Sequence, residues 1–303
     1  MFERPEYLNQ LIKFKDTDFI KVITGVRRSG KSVLLMLFQE HLIKEGVPDD
    51  HIIYMNFESF EYQTITTEEK FREKLNELLP KDTKKIYLLF DEIQVVEGWQ
   101  RVINGIRVSF DSDIVITGSN ANMLSGELAT LLSGRYIEIP IYPFSFQEFL
   151  NVKGIELNSR KVDIAYDEYE KYGGFPSVTI AEESIKDTIL SGIFDTIVLN
   201  DVALRSGIKD PTALKSIISF LADNVGQLVN TSKIVTTLKN EGIETGNSLR
   251  GHFSNIQKNV SAPLTSDSEF KTVDNKTSFK ANLTCNDKIN TFLEVTYSGP
   301  SDI

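Results

Sequence analysis

Residues 25 to 32 read Gly25-Val26-Arg27-Arg28-Ser29-Gly30-Lys31-Ser32. This spacing supplies the residue types a phosphate cradle needs. The glycines let backbone N–H groups bend together onto phosphate oxygens. Lys31 offers a mobile charge for the outer phosphates of a nucleotide, and Ser32 a hydroxyl ligand for Mg2+. Val26, Arg27, Arg28 and Ser29 fill the loop, and its two arginines raise the local positive potential. Further along, "IYLLFDEI" ends an apolar run on Asp91 and Glu92. A carboxylate pair at the end of a strand suits two tasks. Asp91 would hold Mg2+, directly or through water, and Glu92 would orient and deprotonate an attacking water.

Two weaker candidates follow. The segment "TGSNAN" ends another apolar run, and its Ser119 or Asn120 would reach the outer phosphate if that strand lies between the other two. The same residues would also serve as a helix N-cap. Arg135 opens the next apolar run after "LLSG". It would act on a neighbouring subunit's phosphates, make a contact within its own subunit, or stand as a surface arginine.

These residues need particular elements behind them. Short apolar runs at 19–24, 51–57, 85–92, 113–118 and 135–142 read as buried strands. Helical stretches alternate with them: one opening at Lys31 and stopping at Gly46, "KFREKLNELL" behind a Thr66/Glu69 capping box, and two more near 97–110 and 120–133. Strands alternating with helices predict a mainly parallel sheet covered on both faces, an α/β fold. The loop then falls between a strand and a helix N-terminus, where the backbone dipole favours anions.

From Phe144 the pattern is helical, interrupted by "GGFP" at 173–176. Pro211 stands at a favoured first-turn position. Residues 211–224 and "TSKIVTTLKNEGI" suggest a helix-turn-helix. Residues 261–303 are close to half Ser, Thr, Asn and Asp. There, "SFKANLTC" and "TFLEVTY" read either as short strands or as part of a disordered tail. The expected division is a core at 1–143, a helical lid at 144–205, a winged-helix-like module at 206–260 and a polar tail at 261–303.

The chain has 303 residues, one cysteine, three histidines and a formal net charge of −10. One cysteine fits a reducing cytoplasm and excludes an internal disulfide framework. No apolar run reaches the ~20 residues of a membrane helix, so no membrane association is expected. The N-terminus lacks the apolar stretch of a secretory signal. The net charge argues against wholesale nucleic-acid binding. Residues 205–258 are nonetheless mildly basic, with seven Lys/Arg against four Asp/Glu.

In this order the pieces resemble the AAA+ superfamily of P-loop ATPases over residues 1 to about 245. Within it the chain is similar to a large group of prokaryotic ATPases, through "ITGVRRSGKS", "YMNFES", "FDEIQVVEGWQ", "ITGSNANML", "LLSGRYIEIPIYPFSFQEF", "YGGFP" and "IVLNDVALRSGI". The resemblance implies sheet order 5-1-4-3-2, a helical lid, a winged helix near 210–260, ATP with Mg2+, and nucleotide-linked oligomers. It also implies a further nuclease-like domain, which this chain does not match: after Glu294 and Val295 it has Thr296 where a lysine is needed. A truncation, fusion or change of frame is the expected explanation.

The leading expectation is an ATP hydrolase that couples nucleotide state to a partner, protein or DNA. The alternative is a nucleotide-bound signalling or DNA-binding switch with negligible hydrolysis. A small-molecule kinase fits less well, because the Asp-Glu pair suits water activation and no acceptor site is visible.

Overall fold

The computed structural model describes residues 2–118, 132, 134–157, 159–197, 211–223 and 236, and strands at 271–273, 276–285 and 289–297. The chain divides into two units, Met1–Ile197 and Val198–Ile303.

The first unit opens with α1 (Pro5–Lys13), then β1 (Ile20–Thr24) and α2 (Lys31–Lys44). There follow β2 (Ile52–Asn56), α3 (Glu68–Leu78), β3 (Ile86–Asp91), α4 (Trp99–Ser109), β4 (Ser112–Thr117) and β5 (Tyr136–Pro140). All five strands pair in parallel in the order β2-β3-β4-β1-β5, which is the expected 5-1-4-3-2 read from the other edge.

Strand geometry explains the unbroken apolar runs. Successive side chains leave opposite faces, so a strand covered on both sides must be apolar throughout. On β3, Ile86, Leu88 and Phe90 join one core with Phe71 of α3 and Trp99, Val102 and Ile103 of α4. Tyr87 and Leu89 face the other way, into a core with Leu34, Leu35 and Phe38 of α2. Phe71 meets both Phe57 and Phe90 edge-on, each with ring centroids 5.1 Å apart. That is a favoured aromatic geometry.

Two sequence expectations need correcting or extending. The cap of α3 is Thr67, whose hydroxyl accepts from the Lys70 amide, and not a Thr66/Glu69 box. The Thr66 carbonyl is taken by the Glu97 amide at 2.9 Å and Thr67 forms a parallel bridge with Glu97, so the chain is still extended here and the helix starts at Glu68. The helix α1 had no counterpart in the sequence reading. It starts with Pro5 in its first turn and packs Leu11 beneath α2.

Beyond β5 come α5 (Phe146–Lys153), α6 (Val162–Tyr172), a single turn α7 (Pro176–Thr179) and α8 (Glu183–Thr196). The "GGFP" break is a close approach of two backbones. The Phe144 amide donates to the Gly174 carbonyl at 2.7 Å, and a Cβ on Gly174 would lie 2.0 Å from the Phe144 carbonyl oxygen. Only glycine fits there.

In the second unit, α9 (Pro211–Asp223) begins on the expected proline. Most of 206–260 lies outside the described residues. Strands β6 (Lys271–Val273), β7 (Lys276–Cys285) and β8 (Ile289–Tyr297) form an antiparallel sheet. Its register pairs Phe279 with Val295 and Ala281 with Leu293. Among the described residues no helix is long and apolar enough to cross a membrane.

Candidate active site

The loop between β1 and α2 is built around two constrained glycines. Gly25 has φ +151°, and a Cβ there would lie 2.2 Å from the Ile141 carbonyl oxygen. That oxygen cannot retreat easily, because the Ile141 amide is bonded to the Thr24 carbonyl at 2.7 Å. Gly30 is left-handed at φ +103° and precedes α2 without a side-chain cap. The first-turn amides of α2 are thus not capped by a side chain at that position, as an anion-binding helix start requires. Ser29 is buried and its Oγ has no hydrogen-bond partner. Arg28 is exposed and left-handed at φ +64°. Arg27 reaches Glu58 at 3.6 Å, and Val26 is exposed.

Lys31 is almost fully buried. Its Nζ donates to the Gly25 carbonyl at 3.1 Å and the Val26 carbonyl at 3.3 Å, and lies 3.6 Å from Glu92 Oε1. Ser32, one residue into α2, is half-buried.

Asp91 ends β3 and is fully buried. Its Oδ1 accepts from Thr117 Oγ1 at 2.5 Å, and its Oδ2 from Tyr54 OH at 3.2 Å and Asn56 Nδ2 at 3.1 Å. Three donors from two flanking strands hold the carboxylate in one orientation. Burial, and then the neighbouring Asp91 charge, pushes the Tyr54 phenol up to about 12, so it remains a neutral donor. Glu92 is left-handed at φ +54°, a conformation that costs a non-glycine residue about 1 kcal/mol or more. Its amide is fastened to Thr117 Oγ1 at 3.0 Å and its Oε2 accepts from Gln94 Nε2 at 2.5 Å. The turn aims the Glu92 carboxylate back toward the loop.

The structure therefore gathers Gly25, Gly30, Lys31, Asp91 and Glu92 at the C-terminal ends of β1 and β3. This is where open parallel sheets bind ligands. The strand β4 does lie between β1 and β3, the condition set for a polar residue at its tip. Asn120 and Ser119 fall outside the described residues. The tip residue that is described, Thr117, is the one the sequence reading missed, together with Tyr54, Asn56 and Gln94. For Thr117, Asn56 and Gln94 the signal was present, since each is a polar residue ending, or following, a strand; Tyr54 lies in the middle of β2 and carried no such signal.

Arg135 is placed elsewhere. It precedes β5 and pairs with Asp18 Oδ2 at 3.1 Å, both side chains being more than half exposed. Its neighbour Tyr136 is in register with Ile20, at the start of β1, whereas the loop follows the other end. A strand of that length rises about 13 Å, so Arg135 does not reach the phosphate loop of its own subunit.

Residues 17–150 match the family described as an AAA domain, and residues 164–249 a domain of unknown function (DUF8612). An uncharacterized protein of Haemophilus influenzae is 61% identical over 260 residues, covering 86% of this chain and 65% of that protein. An uncharacterized protein of Methanocaldococcus jannaschii is 37% identical over 233 residues, covering 73% of this chain and 50% of that one. The matched part of the chain thus spans between half and two thirds of the length of these two relatives. A Walker-type ATPase of Pyrococcus abyssi has the same fold: TM-score 0.52 at 14% identity, covering 85% of this chain and 89% of that one. The family match and the sheet order agree: residues 17–150 of this chain are an AAA domain with the strand order of the AAA+ P-loop ATPases.

Proposed function

We propose that this chain binds ATP with Mg2+ in the Gly25–Ser32 loop and hydrolyses it. The observation that carries this reading is the convergence of Lys31 and Glu92, 3.6 Å apart across the loop mouth, beside an Asp91 held by three donors.

The residues fit the ligands they would take. The close backbone at Gly25, the α2 N-terminus without a side-chain cap and the unpartnered Ser29 Oγ form a polar cradle for phosphate oxygens. Ser32 and Asp91 would hold Mg2+, which supplies charge neutralisation on the phosphates when bound. Asp91 already accepts three hydrogen bonds, which favours holding the ion through water. Lys31 would exchange its two carbonyl partners for phosphate oxygens. Glu92 would take a proton from the attacking water, with Gln94 and the Thr117-anchored amide fixing where its carboxylate points.

The helical segment 144–205 would close over the nucleotide as a lid, and the 206–260 module would carry the change to a protein or DNA partner. Asn120 would position water or sense the outer phosphate. Arg135 would enter a neighbouring subunit's site in a homo-oligomer, since it faces away from its own loop. Cytoplasmic location goes with this reading.

Glu92→Gln tests it. Turnover of ATP should fall by about 10²-fold or more while binding of ATP persists, as expected for loss of a general base. Unchanged turnover would overturn the assignment. Absence of turnover in the wild-type chain, with binding intact, would favour the non-hydrolysing switch.

A further inference from the structure

Arg4 precedes α1 and is buried, with 2% of its surface exposed. It stands outside every residue considered for catalysis, yet all three of its guanidinium nitrogens are engaged. Nε and Nη2 grip Glu148 as a fork, at 2.7 Å to Oε1 and 2.9 Å to Oε2. Nη1 donates to the Ser29 carbonyl of the phosphate loop at 3.1 Å and to the Tyr142 carbonyl after β5 at 2.9 Å. The plane is flanked by the rings of Tyr7 at 4.4 Å and Phe144 at 5.3 Å.

Both ends of this connection matter. Ser29 and Gly30 shape the turn that delivers Lys31. Glu148 is the N3 residue of α5, where Oε2 also accepts from the Ser145 amide at 2.9 Å and the Ser145 hydroxyl accepts from the Glu148 amide. The side chain that closes the cap of α5 is therefore the one Arg4 holds. Phe144, under the guanidinium, is bonded through its backbone to Tyr169 of α6 and to Gly174. A planar five-donor group is the side chain that can fork a carboxylate and reach two carbonyls at once, which an ammonium cannot.

We propose that Arg4 is a positioning residue that couples the phosphate loop to the first turn of α5, so that occupation of the loop tightens the helical segment beyond β5. The inference rests on the loop being a nucleotide site. A phosphate drawn onto the loop's amides shifts the Ser29 carbonyl, and Arg4 passes the shift to Glu148 through a rigid, desolvated plane. Occupation of the loop and closure of the α5 cap then favour each other, since coupling between sites is reciprocal.

The experiment is hydrogen exchange of the α5 amides in the full chain, with and without a saturating non-hydrolysable ATP analogue. In the wild type the analogue should slow α5 exchange about tenfold, the scale of one charge-assisted hydrogen bond. In Arg4→Lys and in Glu148→Gln, which keeps an acceptor for the cap, that ratio should fall to near one. A merely structural Arg4 would raise α5 exchange equally with and without analogue and leave the ratio intact, which overturns the proposal. An unresponsive wild-type α5 in a chain that does bind the analogue also overturns it, and leaves the ATPase reading standing. Failure of the wild type to bind removes both. Should Arg4→Lys fold poorly, Glu148→Gln gives the same discrimination.

Discussion

Thr117 and Asp91, on adjacent strands, share a 2.5 Å hydrogen bond, and the same threonine oxygen accepts the Glu92 amide at 3.0 Å. One hydroxyl thereby orients the carboxylate that would hold Mg2+ and fixes the left-handed turn that aims the carboxylate of Glu92.

Thr117→Val keeps the shape of the side chain and removes both bonds. It should cost about 1–3 kcal/mol of stability, because a buried amide and a carboxylate oxygen lose their partner. Turnover should fall further than ATP affinity, since the aim of Glu92 is lost while the loop is untouched. Urea unfolding and steady-state kinetics check this, and Thr117→Ser should recover most of both.

Gly174→Ala should be more harmful than its position in a loop suggests. The added Cβ would lie 2.0 Å from a carbonyl oxygen, so a backbone must move. A loss of about 1–3 kcal/mol is expected from such overpacking. Gly154 is the control: it is left-handed, but nothing lies within 4 Å of its Cβ position, so Gly154→Asn should be well tolerated. Thermal denaturation of the two variants separates crowding from backbone conformation.

The two glycines also show how far the sequence could be read. "GGFP" was visible as a break between helices, but its cause was not, because the partner carbonyl belongs to Phe144, thirty residues earlier. The strands, by contrast, were legible from local pattern alone. So was the phosphate loop.

His51 gives a pH prediction. Its ring nitrogens lie 2.8 Å from Asp50 Oδ1 and 2.9 Å from Asp82 Oδ1, and these bonds, Asp50 first, raise its pKa. A raised value stabilises the folded state fully below the unfolded value near 6.5, and that contribution fades as pH rises through the folded value. Asp82 is shifted down, chiefly by His51, so its share is present above its ordinary value of 3.8 and fades as pH falls through the lowered one. His51→Gln should therefore lower the melting temperature near about pH 5–6 and converge on the wild type at higher pH. Melting curves across that range decide it.

Arg135→Ala should barely change stability, since an exposed ion pair is worth about 0–1 kcal/mol. If Arg135 serves a neighbour's site, turnover should nevertheless fall by about 10³-fold. Mixing Arg135→Ala with Glu92→Gln chains should then restore part of it, because mixed interfaces regain one complete site. No recovery on mixing would remove the role in a neighbouring subunit.

Sequence by itself determined what depends on near neighbours. Short unbroken apolar runs dictate strands, Gly25 to Ser32 dictates a loop that can bend onto phosphate, and Asp91 with Glu92 marks the end of β3. Tertiary structure decided what depends on pairing. Parallel strand order brings Thr117, Asn56 and Tyr54 onto Asp91 from 26, 35 and 37 residues away, and carries Arg4 to Glu148 across 144. It also turned Arg135 away from its own loop. Such contacts leave no local period in the chain, because each partner's residue type also suits an ordinary strand end or helix start, and only the sheet order makes them neighbours.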